Sequence, residues 1–125
     1  MKIAVIIVRS LVGLIFLFAS VVVLFNLVPQ PELQGSVKVF MAGIAATSYL
    51  LPLIKVTELI CAIAFLSGRF VTLATVVIFP ISLNILLFHA FLAPEGLPTA
   101  IFIFLGILFL AYAKRQNYRT LFIAK

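Results

Sequence analysis

Residues 3–28 read IAVIIVRSLVGLIFLFASVVVLFNLV, an apolar run broken only by Arg9 and the small polar residues Ser10, Ser20 and Asn26. A helix rises 1.5 Å per residue, so about 20 such residues cross a bilayer hydrocarbon core of roughly 30 Å. A cleaved signal peptide has a shorter apolar core and turns polar after a small-x-small site. Here Ala19-Ser20 runs straight into Val21-Val22-Val23-Leu24-Phe25, so the segment is expected to remain as a membrane span.

The same signal recurs along the chain. Pro29, Pro31, Glu32, Gln34 and Gly35 form a turn-rich polar loop. From Val39 to Leu66 the chain is mostly apolar, and as one helix it would measure roughly 42 Å, too long for a single crossing. Pro52 disfavours helix at Leu51, so we expect a short small-residue helix through Met41–Thr47 and a second span over 49–66. Gly68, in Ser67-Gly68-Arg69, suits a helix end that needs positive φ. A third span is expected over 70–92, bent at Pro80. Pro94-Glu95-Gly96-Leu97-Pro98 is the next turn, with Pro98 opening a fourth span over 98–113. A basic tail, 114–125, follows. The expected fold is therefore an all-α membrane protein: a four-transmembrane-helix bundle, with a short extra helix before the second span, in one domain over 1–125.

Composition agrees. The 125 residues are 66% hydrophobic and 10% charged, with no Trp, and mean hydropathy is +1.38. A soluble domain is near half apolar and a quarter charged, which excludes a water-soluble enzyme, a disordered tail and a nucleic-acid reader. Nine Lys+Arg against three acids give a net charge of +6, and their placement follows topology. Lys2, Arg69, Lys114, Arg115, Arg119 and Lys125 fall on the side of the chain ends, with Arg9 nearby; Lys38, Glu32 and Glu95 fall on the other. The positive-inside rule then puts both ends in the cytoplasm of a bacterial-type plasma membrane. The tail, with Tyr112, Tyr118 and Phe122, is expected to anchor on anionic lipid headgroups or to dock a protein. Cys61 has no partner for an internal disulfide and reads as a small membrane-facing side chain.

Function must come from polar groups that are expensive where they sit. A charge at mid-bilayer costs about 2.5–3.5 kcal/mol on insertion scales. Glu58 lies roughly 12 Å from the cytoplasmic end of its span, and Lys55 is its i,i+3 neighbour. Two readings stand: a pair that grips a polar head group, or an ion pair that locks helices. Arg9 shares a face with Gly13, Phe16 and Ser20, so it either enters the bundle towards Glu58 or snorkels to headgroups. Asn84 and His89 lie in the outer half of the third span, about 140° apart around it, with Phe88 beside Asn84. Asn84 serves as interhelical glue or as a site group, and His89 as a proton handler or an interfacial residue. One His, one Cys and no Asp do not supply a closed metal site.

These residues together resemble the DoxX family of small four-helix membrane proteins, over nearly the full length. The resemblance is carried by Arg9 with Gly13, by Tyr49-Leu50-Leu51-Pro52-Leu53-Ile54-Lys55 leading into Glu58, and by Gly68-Arg69. Pro80, Asn84-Ile85-Leu86-Leu87-Phe88-His89 and Pro94-Glu95-Gly96-Leu97-Pro98 continue it. The chain departs from the family at Cys61-Ala62, where glycine is frequent, and at Val23-Leu24-Phe25-Asn26, where a lysine is frequent. The family takes its name from a subunit type linked to thiosulfate:quinone oxidoreduction, and distant relatives look like assembly chaperones.

The polar cluster beside Phe88, taken with the resemblance, points to a redox-associated subunit that binds a quinone or another lipophilic small molecule, with Lys55, Glu58, Asn84, Phe88 and His89 as ligand-binding candidates and Arg9 as a structural intramembrane charge. No covalent cofactor and no metal is expected, and no self-contained catalytic motif is present, so an enzymatic role would be an accessory one. The alternative is a non-enzymatic assembly or chaperone partner of another membrane protein, pointed to by the small residues Ala42-Gly43-Ile44-Ala45-Ala46. Expected partners are membrane lipids with a membrane protein or a second copy of the chain, and no nucleic acid.

Overall fold

A computed structural model describes residues 2–27 and 32–123. It is all-α: α1 Lys2–Leu24, α2 Gly35–Ala46, α3 Leu50–Ser67, α4 Val71–Phe91 and α5 Leu97–Ala113. Short 3₁₀ segments lie at Pro94–Gly96 and Arg115–Phe122. Helices α1, α3, α4 and, with its leading 3₁₀ turn, α5 are long and apolar enough to cross a membrane, and α2 is the shorter helix before the second of them.

The four long helices form a ring. Helix α1 packs most extensively on α3 and α4 on α5, while α3–α4 and α5–α1 contacts close the circle. Val12, Phe16, Ala62, Phe65, Ile78, Ile107 and Leu110 fill the centre. Small residues set the approach of the helices. A Cβ on Gly13 would come within 3.1 Å of Phe65 and closer still to Leu66, and one on Gly106 would press on Val12, so both glycines sit where helix backbones meet. Large apolar side chains such as Ile3, Ile7, Leu14, Phe18, Ile60, Ile63, Leu73 and Leu105 point outwards, an arrangement that lipid tolerates and water does not.

Several expected boundaries shift. Helix α1 ends at Leu24; the expected end at Val28, like Pro29 and Pro31, lies outside the described residues, as does Lys125. Helix α2 begins at Gly35, six residues before the expected Met41. Leu51 is helical despite preceding Pro52: the proline falls in the first turn of α3, where backbone N–H groups lack intrahelical acceptors anyway. Helix α4 runs unbroken through Pro80. Gly68 caps α3 in the left-handed region at φ 77°, as its position predicted, and Pro98 lies in the first turn of α5.

The tail folds back onto the bundle. Tyr118 is buried, and its hydroxyl donates to the Thr72 carbonyl at 2.8 Å, while Asn117 Nδ2 donates to Thr72 Oγ1 at 2.8 Å. One of the three aromatic residues expected to face lipid is therefore spent on fixing the tail to the start of α4. Leu121, Phe122 and Ile123 remain exposed.

Candidate functional site

Helix α3 carries Lys55 and Glu58 one turn apart, and Lys55 Nζ lies 3.4 Å from Glu58 Oε1. The carboxylate is inside the bundle at 2% exposure, while Lys55 is half-buried. At that separation the ammonium is the nearest compensating charge, and the pair must satisfy itself or find a polar ligand.

Arg9 is not part of this pair. It crosses from α1 to the end of α3, where Nη1 donates to the Phe65 carbonyl at 2.6 Å and to the Leu66 carbonyl at 3.3 Å. Of the two readings of Arg9, neither the pairing with Glu58 nor snorkelling to headgroups describes this contact, and the reason is physical. The last carbonyls of a helix lack N–H partners and carry the negative end of its dipole, and Arg9 meets them directly. The guanidinium also rests on Gly68, 3.1 Å from where a Cβ would be. Arg9 is thus a structural cap.

Helix α4 supplies the facing wall. Asn84, Phe88 and His89 line the same cavity as Lys55 and Glu58, although Asn84 and His89 lie far apart around their helix. A concave wall can collect side chains from more than one face. The cavity encloses about 560 Å³, within the range of small-molecule sites. It occupies the half of the bundle away from the chain ends. Its remaining walls are mostly apolar, with Phe16 and Ala19 from α1, Phe40 and Ile44 from α2 and Ile103 from α5, beside the hydroxyl-bearing Thr99 of α5.

The side chains of α4 differ in how they are held. Phe88 meets Phe40 at a tilt, with ring centroids 5.2 Å apart, and meets His89 edge-on at 5.1 Å. His89 Nδ1 lies 3.1 Å from the Ala93 carbonyl. A carbonyl only accepts, so in this contact Nδ1 carries the hydrogen and Nε2 is the other ring nitrogen. A Cβ at Gly96 would collide with the imidazole, so the turn closes tightly around the ring. Asn84 is exposed at the cavity edge and makes no side-chain hydrogen bond among the described residues. Ser82, 1% exposed, likewise has an unpaired hydroxyl but does not line the cavity.

The α2 residues Phe40, Met41 and Ile44 escaped the sequence reading, because apolar residues in an apolar chain carry no mark of lining a cavity. A larger groove of about 780 Å³ runs along the lipid-facing seam of α3 and α4, past Thr57, Cys61 and Arg69. It contains no carboxylate and no imidazole, so the chemistry resides in the smaller cavity. Among the described residues no three His, Cys, Asp or Glu come together as a metal would require. Comparisons with protein-family models, with curated proteins and with solved structures find no match to this chain.

Proposed function

We propose that this is a DoxX-like membrane protein that binds a quinone or another lipophilic small molecule in the cavity between α1, α2, α3, α4 and α5, as a redox-associated subunit. What carries the reading is a single observation: Lys55, Glu58, Asn84, Phe88 and His89 line one cavity whose other walls, Thr99 apart, are apolar. A carbonyl or hydroxyl head group would accept from Lys55 or Asn84, a hydroxyl would also donate to Glu58, and the ring would lie against Phe88. The unpaired Asn84 amide supports this, since an amide facing hydrocarbon without a partner is costly and a ligand would satisfy it. Binding is the role assigned to this chain. Electrons for any quinone chemistry would come from a partner subunit, and Glu58 and Lys55 could hold a proton at the head group. The uneven basic charge supports a topology with both ends of the chain on the cytoplasmic side of a bacterial-type plasma membrane.

The deciding experiment is native mass spectrometry of protein gently extracted from its own membrane, wild type beside Glu58→Gln. A bound quinone-sized molecule that is lost in the variant is expected. Wild-type protein that retains no small molecule overturns the proposal.

The alternative, a chaperone or assembly partner for another membrane protein, draws on α2. Ala42, Gly43, Ala45 and Ala46 are exposed there, and a Cβ on Gly43 would meet nothing within 4 Å. Small residues on an open face let a second helix approach closely. Recovery of one recurring protein without any small molecule would favour this reading.

A further inference from the structure

We infer, building on the ligand reading above, that α2 is a movable wall of the cavity, and that an amphiphile dissolved in the bilayer reaches the site sideways by displacing it. The occupant would place its polar head at Lys55, Glu58 and Asn84 and run its apolar chain out between α2 and α4.

The first ground is unequal packing. Helix α2 lends Phe40, Met41 and Ile44 to the cavity, yet none of its twelve residues is buried. Its packing is mainly on α3, the next helix in the chain, with Phe40 resting on Phe88 of α4. Helix α1, by contrast, buries Val12, Gly13, Phe16 and Ser20. No side-chain hydrogen bond ties the body of α2 to another helix among the described residues. The polar tie is at the corner, where Thr47 Oγ1 accepts from the Leu50 N–H at 2.9 Å.

The second ground is the solvent. In a bilayer, a helix face that leaves protein for acyl chains exchanges apolar contact for apolar contact, so association rests on packing and hydrogen bonds. Helix α2 has little of either beyond its corner. The corner itself is suited to a hinge: Ser48 sits in the left-handed region at φ 68° between α2 and α3, and a few residues at an element end can absorb a closure.

The third ground is the direction of the opening. Pro80 and Asn84 line the cavity and are exposed on α4, so the cavity reaches the outside of the bundle on a lipid-facing side. A volume of about 560 Å³ suits a ring-sized head, and a longer chain must leave past α2.

The test uses full-length protein in lipid nanodiscs, with Cys61→Ala to remove the native thiol. Spin labels at Val39→Cys on α2 and Leu83→Cys on α4 report the wall, and labels at Leu14→Cys and Ile60→Cys report the α1–α3 frame. Two distances for the α2–α4 pair are expected, with decylubiquinone changing their proportions, and one narrow distance for the frame. A single narrow α2–α4 distance, with and without decylubiquinone, overturns the movable wall. In a second measurement Val39→Cys and Leu87→Cys, exposed residues that flank the Phe40–Phe88 contact and do not line the cavity, are joined by a thiol-bridging reagent. Bridging is expected to slow decylubiquinone uptake about tenfold relative to the same variant unbridged, and equal rates overturn sideways access. If the unbridged variant and the Cys61→Ala parent take up no quinone, the ligand reading falls, while the spin-label distances still decide whether the wall moves.

Discussion

Arg9 and Phe65, fifty-six residues apart in sequence, are joined by a 2.6 Å hydrogen bond from the guanidinium to the backbone carbonyl. This contact ties α1 to the end of α3 and packs the guanidinium over Gly68. Removing the guanidinium by Arg9→Leu should destabilise the bundle by about 1–2 kcal/mol. Gly68→Ala should cost about as much, since it puts a Cβ at positive φ. The double variant should lose less than the sum, because the side chain that the new Cβ strikes is gone. Unfolding in mixed micelles, followed by helical circular dichroism, gives all three values.

Lys55 and Glu58 should behave as a unit. Lys55→Met leaves a carboxylate buried without its ammonium, and the loss should be about 3 kcal/mol. Adding Glu58→Gln to it should recover most of that stability, because no uncompensated charge remains. The same unfolding assay measures this, and a double variant as unstable as the single one would contradict it.

At Asn84 stability and binding should part company. The amide has no side-chain hydrogen bond among the described residues, so Asn84→Leu should leave the protein at least as stable as wild type. Retention of a quinone-sized molecule should nevertheless fall. A substantial loss of stability would mean that the amide is helix glue instead.

Gly96→Ala should be harmful through His89. The new Cβ meets the imidazole, and overpacking of this kind costs about 1–3 kcal/mol. His89→Ala in the same chain should relieve the strain, which a comparison of the single and double variants would detect.

Tyr118 gives a pH dependence. Burial raises its phenol above the ordinary value of 10.0, and the neutral hydroxyl donates to the Thr72 carbonyl. Because the folded value is the higher one, its contribution to tail docking is fully present below about pH 10 and is lost as pH rises through the raised value. Amide exchange over Arg115–Phe122 should therefore quicken at alkaline pH beyond its intrinsic rise. Tyr118→Phe should quicken it already at neutral pH, by removing a bond worth about 1 kcal/mol, and should abolish the alkaline step.

The long helices were legible in the sequence because length and apolarity are the two properties a bilayer demands of a span. Their ends were less so. Pro52 reads as a helix breaker, but a proline in the first turn removes no bond that the helix needed. The Lys55–Glu58 pair followed from spacing alone. The partner of Arg9 did not: helix-end carbonyls are accepting groups that every residue has, so no letter in the sequence marks them. Asn84 and His89 lie about 140° apart on a helical wheel, which suggests separate faces, whereas the cavity curves around α4 and collects both. Phe40 and Ile44 were invisible because lining a cavity and facing lipid ask for the same side chains.

The bundle is packed at one end and hollow at the other. Towards the chain ends Phe65, Ile107 and Leu110 are buried at the centre and Arg9 bridges two helices, while the cavity that holds Lys55 and Glu58 occupies the opposite half. The molecule is therefore a cup with a solid floor. A ligand bound there, as proposed, would leave by the side it came from, and its occupancy would answer to the composition of one leaflet and not to a difference between the two faces of the membrane.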